Sequence, residues 1–302
     1  MFTVEELTPR MVEVFGKVVS GLQLKCPQIC FQSHIESFYY YMLHQQAELW
    51  KREVFVFEYN DTLKTLRFQC NRHTTPRVVF IEHLDYPEMK RVDWAEDEAQ
   101  RMAQQQELDA QFGQVCESCL HETDVSTVFL IGEGFKEGWT RESLKILCHN
   151  RRVFQGNNLY SKGACYAGME KLNPQESTRE YVYLGEDKLK SNIGMRALRR
   201  GEDSYLAILD AGVNWYEAKT DFDLILESGN VLCFTITPLT GENIMDKTVT
   251  LDGLPERPRC TTRLRIHAEM TAIHTLTLEI TDMGFGELFK SSGRAWTHTL
   301  QV

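Results

Sequence analysis

Short apolar runs alternate with longer segments of helical period along residues 1–170. The predicted strands cover residues 1–4, 29–32, 54–57, 63–70, 77–82, 126–131 and 153–154. The predicted helices cover residues 8–21, 36–50, 94–121, 140–149 and 159–169, with Thr8 as the N-cap of the first. Because strand-length and helix-length segments follow one another in turn, the pattern predicts an α/β domain whose sheet is covered by helices.

The period changes to two in the last third of the chain. Residues 222–226, 232–236, 264–270 and 276–280 each alternate apolar with polar side chains. Strands with one wet face, separated by turns, predict an antiparallel β-sandwich over residues 191–302. The polar and charged residues 171–190 predict a linker. The predicted fold is therefore an α+β chain of two domains, with an α/β domain over 1–170 and the β-sandwich behind it.

The composition is that of a globular protein with an acidic balance, at 42% hydrophobic residues, 25% charged residues and a net charge of −10. Because nucleic-acid-binding proteins gain affinity by neutralising phosphates with Lys and Arg, this balance predicts no nucleic-acid partner. No segment approaches the roughly 18 consecutive apolar residues of a membrane span, and the acidic N-terminus does not resemble a signal peptide. The nine cysteines are accordingly expected to be reduced thiols of a cytoplasmic protein.

Candidate metal or catalytic chemistry is sparse. Cys116 and Cys119 have a Cys-x-x-Cys spacing and precede His121, which is one arrangement of metal or redox ligands. The spacing also fits the buried stripe of a helix that includes Leu108 and Phe112, and this favours a core role for Cys119. The histidines have no partner at an informative spacing. No catalytic and no metal-ligating residue is predicted, and the chain is not expected to be an enzyme.

One segment of the C-terminal domain carries a family resemblance. Residues 251–259, Leu-Asp-Gly-Leu-Pro-Glu-Arg-Pro-Arg, resemble the Leu-Asp-Gly-Ile-Pro-x-x-Pro-Arg-Gly run that joins strands in the substrate-binding β-sandwich of the Hsp70 chaperones. Cys260 stands where that run has its final glycine. The resemblance implies a β-sandwich of the Hsp70 type. Its peptide groove would be formed by loops at one end, including roughly residues 200–206.

A second resemblance lies in the α/β domain. Residues 128–136, Val-Phe-Leu-Ile-Gly-Glu-Gly-Phe-Lys, and the later Lys-Gly-Ala of residues 162–164 resemble the adenosine-binding segments of the Hsp70/actin-like ATPases. Glycines at a strand end let the backbone approach a ligand, although they also serve ordinary strand–helix turns. The resemblance implies a partial actin-like α/β domain with nucleotide-site positions at Gly132, Gly134, Lys136 and Gly163.

Residues 58–62 occupy the place of that family's second phosphate loop. Glu58 stands in the acidic position and Thr62 in the hydroxyl position, but Tyr59, Asn60 and Asp61 replace the glycines. Bulky side chains and a negative charge oppose phosphate binding by backbone N–H groups, so a plain hairpin turn is the alternative. The family's first phosphate loop and catalytic lysine would lie upstream of residue 1, and its helical lid would follow residue 302. The resemblance thus implies no ATP hydrolysis by this chain.

The two resemblances imply a non-catalytic, degenerate Hsp70-like protein of a bacterial branch of the family. Its β-sandwich is expected to bind an extended peptide or a partner protein. Two alternatives stay open: an ATP-binding, chaperone-like ATPase whose phosphate-loop half is missing, and a structural scaffold with no ligand. No cofactor is assigned, and bound ATP or ADP belongs to the first alternative.

Overall fold

The computed structural model describes residues 1–23, 29–199, 201–240 and 243–302, which form two compact units, Met1–Tyr183 and Leu184–Val302. The first unit combines helices with a mixed sheet, and the second contains antiparallel sheets, so the chain has an α+β fold. Within the described ranges, no helix is both long enough and apolar enough to cross a membrane.

The first unit is built on a six-stranded mixed sheet with the order β7-β6-β3-β4-β5-β8 and a separate parallel pair, β1-β2. Its elements are β1 (Phe2–Val4), α1 (Pro9–Gly21), β2 (Phe31–Ser33), α2 (His34–Leu43), β3 (Glu53–Tyr59), β4 (Thr62–Asn71), β5 (Arg77–Lys90), α3 (Glu98–Leu120), β6 (Val125–Ile131), α4 (Glu142–Leu147), β7 (Arg152–Gln155), α5 (Leu159–Leu172), α6 (Glu176–Arg179) and β8 (Tyr181–Tyr183). Strands β3, β6 and β7 run parallel, β4 is antiparallel to β3 and β5, and β8 is parallel to β5.

Helices cover both faces of this sheet. Phe55 and Phe57 of β3 lie in a core shared with α3 and α4, whereas Val54 and Val56 lie in a core shared with α2 and α5. All seven residues of β6 are buried. Continuous apolar strands such as these are typical of a sheet that is buried on both faces. The predicted α/β layering is therefore confirmed for this unit.

Several element ends differ from the predictions because tertiary contacts override the local pattern. Helix α2 ends at Leu43 rather than residue 50, and the buried Trp50 turns its ring edge-on to Phe68 at a centroid distance of 6.1 Å. Strand β5 continues to Lys90 rather than residue 82, since it pairs along β4 as far as Thr62. The predicted linker contains the end of α5 together with α6 and β8, and Tyr181 of β8 pairs with Arg77 of β5.

The second unit contains two four-stranded antiparallel sheets with the orders β10-β9-β12-β13 and β11-β14-β15-β16. Its strands are β9 (Ser191–Arg199), β10 (Glu202–Leu209), β11 (Lys219–Leu226), β12 (Val231–Pro238), β13 (Met245–Thr250), β14 (Thr262–Ala272), β15 (Thr275–Gly284) and β16 (Ala295–Gln301). Side chains from both sheets share one apolar core. The predicted alternation is confirmed in β14, where Leu264, Ile266, Ala268 and Met270 are all buried.

Candidate functional site

The ends of the parallel strands β3, β6 and β7 form the region where sequence reasoning placed a nucleotide. Glu58 of β3 is aligned with Ile131 of β6, so Glu58 and Gly132 lie at neighbouring strand ends. Asn157 follows the end of β7 and reaches the same place, because the Gly132 N–H donates to its Oδ1 at 2.9 Å. In open α/β sheets, the carboxyl ends of the strands are the usual position of a ligand.

Gly132 and Gly134 are required by close packing against Tyr59. Gly132 has φ +103°, and a Cβ there would lie 2.4 Å from the Tyr59 carbonyl oxygen. A Cβ on Gly134 would lie 2.4 Å from Cδ1 of the Tyr59 ring. The Tyr59 hydroxyl is itself held by the Lys90 carbonyl oxygen at 2.6 Å. These glycines therefore bring the β6 turn onto the β3–β4 hairpin, whether or not a ligand binds.

Side chains of this protein already engage the backbone N–H groups at this turn. Besides the bond from Gly132 to Asn157, the Glu133 N–H donates to Asn60 Oδ1 at 3.2 Å. The Asn60 amide donates to Glu58 Oε1 at 3.0 Å, and the Asn157 amide donates to Glu133 Oε1 at 3.2 Å. The carboxylates of Glu58 and Glu133 therefore lie close to the backbone N–H groups that a phosphate would need. A negatively charged carboxylate repels a phosphate and opposes its binding.

Glu58 also accepts a hydrogen bond that the sequence did not suggest. The Tyr160 hydroxyl in the first turn of α5 donates to Glu58 Oε2 at 2.6 Å, across a sequence separation of 102 residues. The ring of His34 stacks on Tyr160 at a centroid distance of 4.3 Å. Burial raises the pKa of the Tyr160 phenol well above its usual range, and Glu58 adds to the effect. Burial also lowers the pKa of the His34 imidazole, which favours its neutral form.

Among the other predicted nucleotide-site residues, Lys136 contacts this network through Glu133, whereas Thr62 and Gly163 lie apart from it. Lys136 forms an exposed ion pair with Glu133 at 2.6 Å. Thr62 begins β4 and is aligned with Lys90 of β5. Gly163 lies in α5, where a Cβ would be 1.8 Å from the Ser37 carbonyl oxygen of α2. The structure therefore brings together Glu58, Gly132 and Gly134, with Lys136 paired to Glu133 beside them, but gives Gly163 a role in helix packing.

A cleft of about 290 Å³ borders Tyr59 and Gly134. Its charged lining residues are Asp93, Glu133 and Glu137 together with Arg91. This excess of carboxylates makes the cleft a poor environment for a polyphosphate.

The cysteine motif is part of a helix core. Cys116 is fully buried in α3, and burial raises the pKa of its thiol well above the usual range. Cys119 is partly buried, with its Sγ 3.2 Å from the Tyr86 hydroxyl. Cys119 packs against this core, as the stripe predicts, and Cys116 is the more deeply buried of the two cysteines. In the described part of the chain, no group of three or more His, Cys, Asp and Glu side chains is arranged to hold a metal. Cys26 lies outside the described residues.

The β9–β10 hairpin of the second unit contains most of the predicted groove segment. Tyr205 and Leu206 of β10 and Leu198 of β9 are exposed apolar side chains. The Tyr205 ring lies over Gly194, where a Cβ would be 2.3 Å from the ring. Among the described strands, β10 pairs only with β9, so its other edge presents free backbone groups. Arg200, the first residue of the predicted groove segment, lies outside the described residues.

The segment 251–259 connects β13 of one sheet to β14 of the other, and a buried ion pair holds it. Arg257 Nη1 and Nη2 donate to Asp282 Oδ1 and Oδ2, both at 2.8 Å, and Nη2 also donates to the Lys290 carbonyl oxygen at 2.9 Å. Cys260, which directly follows the segment 251–259, has φ +59°, in the left-handed region that favours glycine. Cys260 therefore keeps the turn conformation for which a glycine is suited.

The comparison with protein families divides the chain close to its structural boundary. Residues 1–186 match the family model described as the C-terminal part of a family of unknown function, DUF5716. The chain belongs to the DUF5716 family. Residues 188–302 match a second model, described as a domain of unknown function, DUF8552. No curated protein matches the chain.

In this DUF5716 family member, the two matches correspond closely to the two compact units, whose boundary in the sequence lies between Tyr183 and Leu184. The strand-end network around Glu58 lies in the DUF5716 part. The β10 edge and the Arg257–Asp282 pair lie in the DUF8552 part.

Proposed function

We propose that this DUF5716 family member is a non-catalytic, degenerate Hsp70-like protein of the cytoplasm, whose second unit binds an extended segment of another polypeptide. The second unit would be an Hsp70-type β-sandwich, and the first unit a partial actin-like α/β domain. The single observation that carries the proposed function is the free edge of β10 with its exposed Tyr205 and Leu206.

An exposed strand edge binds an extended peptide through main-chain hydrogen bonds, and neighbouring side chains supply selectivity. Strand β10 offers both, because Tyr205 and Leu206 lie on the edge strand itself and Leu198 lies on the adjoining β9. The two sheets with one common core, joined by residues 251–259, support the sandwich architecture that the resemblance implies.

The first unit supports the non-catalytic part of the proposal. Asn60 and Asn157 engage the N–H groups of Glu133 and Gly132, and Glu58 is hydrogen-bonded to Tyr160. A phosphoryl group would have to displace these contacts and approach the Glu58 carboxylate and the Glu133–Lys136 ion pair. The second candidate function, ATP or ADP binding, is favoured by the adjacency of Glu58 and Gly132 at the strand ends.

Peptide binding is tested with a library of fluorescein-labelled heptapeptides with apolar centres, measured by anisotropy and by thermal shift. A ligand that binds only the native state must raise the unfolding midpoint. We expect a subset of peptides to bind, with at least tenfold weaker binding to a Tyr205→Lys/Leu206→Lys variant. The matched control is Ile225→Lys, which changes an exposed apolar residue on β11, an edge strand of the other sheet.

Equal loss of affinity in the control, or no peptide that raises the midpoint, would contradict the proposal. ATP and ADP form a second arm of the same thermal-shift experiment. A response to nucleotide alone, abolished by Glu58→Gln, would instead favour the ATP-binding alternative.

A further inference from the structure

The β1–α1–β2 segment has the form of an incomplete parallel sheet. Its two strands pair in parallel, with Phe2 opposite Phe31 and Val4 opposite Ser33. Each strand has three residues, and in the described ranges each pairs only with the other. Parallel sheets are almost always larger and covered on both faces, and an isolated pair of strands is marginally stable in water. In the part of the chain that the structure describes, no further strand completes this pair.

Helix α1 has a half-buried apolar side toward these strands. The Phe15 ring stacks on Phe31 at a centroid distance of 5.5 Å, and Phe2 stacks on the same residue at 5.6 Å. Met11, Val12 and Val19 are also half-buried. These contacts cover one part of the apolar face of the helix.

Part of the apolar face of α1 is exposed. Val14, Val18 and the C-cap residue Leu22 follow one another at four-residue spacing, which places them on one side of the helix. Their exposures are 49%, 50% and 64%. The polar stripe that would normally face water is separate and consists of Arg10, Glu13, Lys17 and Ser20. The apolar face of a surface helix normally packs against a core, so the uncovered part of this face indicates a partner.

The family match indicates what this partner is. The model that covers residues 1–186 represents the C-terminal part of DUF5716 proteins, so the family as a whole includes a preceding region. We propose that β1, α1 and β2 form the docking surface for the N-terminal region of a DUF5716 family protein. That region adds a parallel strand to the β1-β2 pair and covers Val14, Val18 and Leu22. The polar stripe of α1 stays in water.

This interaction concerns the first unit and goes beyond the proposed peptide binding, which concerns the second. The probe is the N-terminal region of a longer DUF5716 family protein, co-expressed with the full 302-residue chain. We expect an affinity tag on the probe to recover a one-to-one complex. We also expect slower hydrogen exchange at Phe2–Val4 and Phe31–Ser33 in that complex.

A Val14→Lys/Val18→Lys variant is expected to bind the probe at least tenfold more weakly. The matched control is Glu13→Gln/Lys17→Gln, which removes an exposed ion pair on the polar stripe and should leave binding unchanged. Leu22→Lys is a second test at a site already largely exposed, and we expect it to weaken binding as well. The proposal is overturned if the tagged probe does not recover the co-expressed chain, or if the chain forms a homodimer through α1 instead. It is also overturned if the Val14→Lys/Val18→Lys variant and the control variant bind the probe equally well.

Discussion

Replacing Gly163 by alanine is expected to destabilise the first unit by about 3 kcal/mol, the upper part of the range for overpacked cores. The added Cβ would lie 1.8 Å from the Ser37 carbonyl oxygen, so α5 and α2 must move apart. Because the contact is with backbone, a side-chain rotation does not relieve it. Urea unfolding gives the free energy, and hydrogen exchange assigns the change to the first unit.

Gly168→Ala is the matched control on the same helix. A Cβ there has only the Met1 Cβ nearby, at 3.9 Å. Alanine favours helix over glycine by about 0.8–1 kcal/mol, so we expect this variant to be slightly more stable. If Gly163→Ala keeps wild-type stability but loses nucleotide binding, the glycine serves a ligand rather than helix packing, and our assignment of its role is wrong.

Replacing Arg257 by methionine is expected to destabilise the second unit by about 3–5 kcal/mol, the usual cost of leaving a buried charge unpaired. The exposed fractions of the Arg257 and Asp282 side chains are 6% and 0%. Asp282 also accepts the N–H groups of Gly284 and Ser292, at 2.9 and 2.8 Å. Loss of the guanidinium therefore affects the 251–259 segment and the chain around residues 284–292 together.

The control for this variant is Arg265→Met, at the exposed Arg265–Asp223 pair on β14 and β11. Exposed ion pairs contribute little because water and salt screen them, so we expect nearly wild-type stability. Urea unfolding with hydrogen exchange resolved by unit measures both variants. Equal effects in the two variants would show that the buried pair has no special importance.

The Arg257–Asp282 pair also predicts a pH dependence. The Arg257 guanidinium, helped by hydrogen bonds from Ser292 and Gly284, holds the pKa of the Asp282 carboxyl well below its usual value of 3.8. A carboxyl whose pKa is lowered by folding stabilises the native state above its unfolded pKa, and this is lost as the pH falls toward the folded pKa. We expect the stability of the second unit to decline below about pH 4, and less steeply in Arg257→Met. An equal slope in the variant would contradict this.

Much of the β-domain was predictable because the alternation of apolar and polar residues along a strand shows which side chains are buried. In β14 and β15 the alternating residues Leu264, Ile266, Ala268 and Met270, and Leu276, Leu278 and Ile280, all face the core, as the period of two requires. The layered first unit was predictable for a similar reason, since its strands are short apolar runs between helical segments. The ends of helices and strands were less predictable, because they depend on neighbouring elements. Strand β5, for example, extends to Lys90 because it pairs with β4 along that length.

The candidate nucleotide-site residues show what short sequence motifs could not predict. Gly132 and Gly163 were assigned to one site from short glycine motifs, yet one packs against Tyr59 and the other against Ser37. The partners that fill the strand-end region, Asn60 for Glu133 and Tyr160 for Glu58, lie 73 and 102 residues away in the chain. No local signal marks such pairs.

The sequence by itself determined the α+β composition of the chain, the change of period near residue 191 and the apolar faces of most elements. These follow from side-chain periodicity, which depends on the geometry of a single strand or helix. Only the tertiary structure decided that asparagines engage the amides at the β6 turn, that Arg257 is paired with Asp282, and that α1 keeps an apolar stripe exposed. Each depends on which elements become neighbours in the fold. Contacts between residues far apart in sequence do not change the periodicity of side chains along a single element.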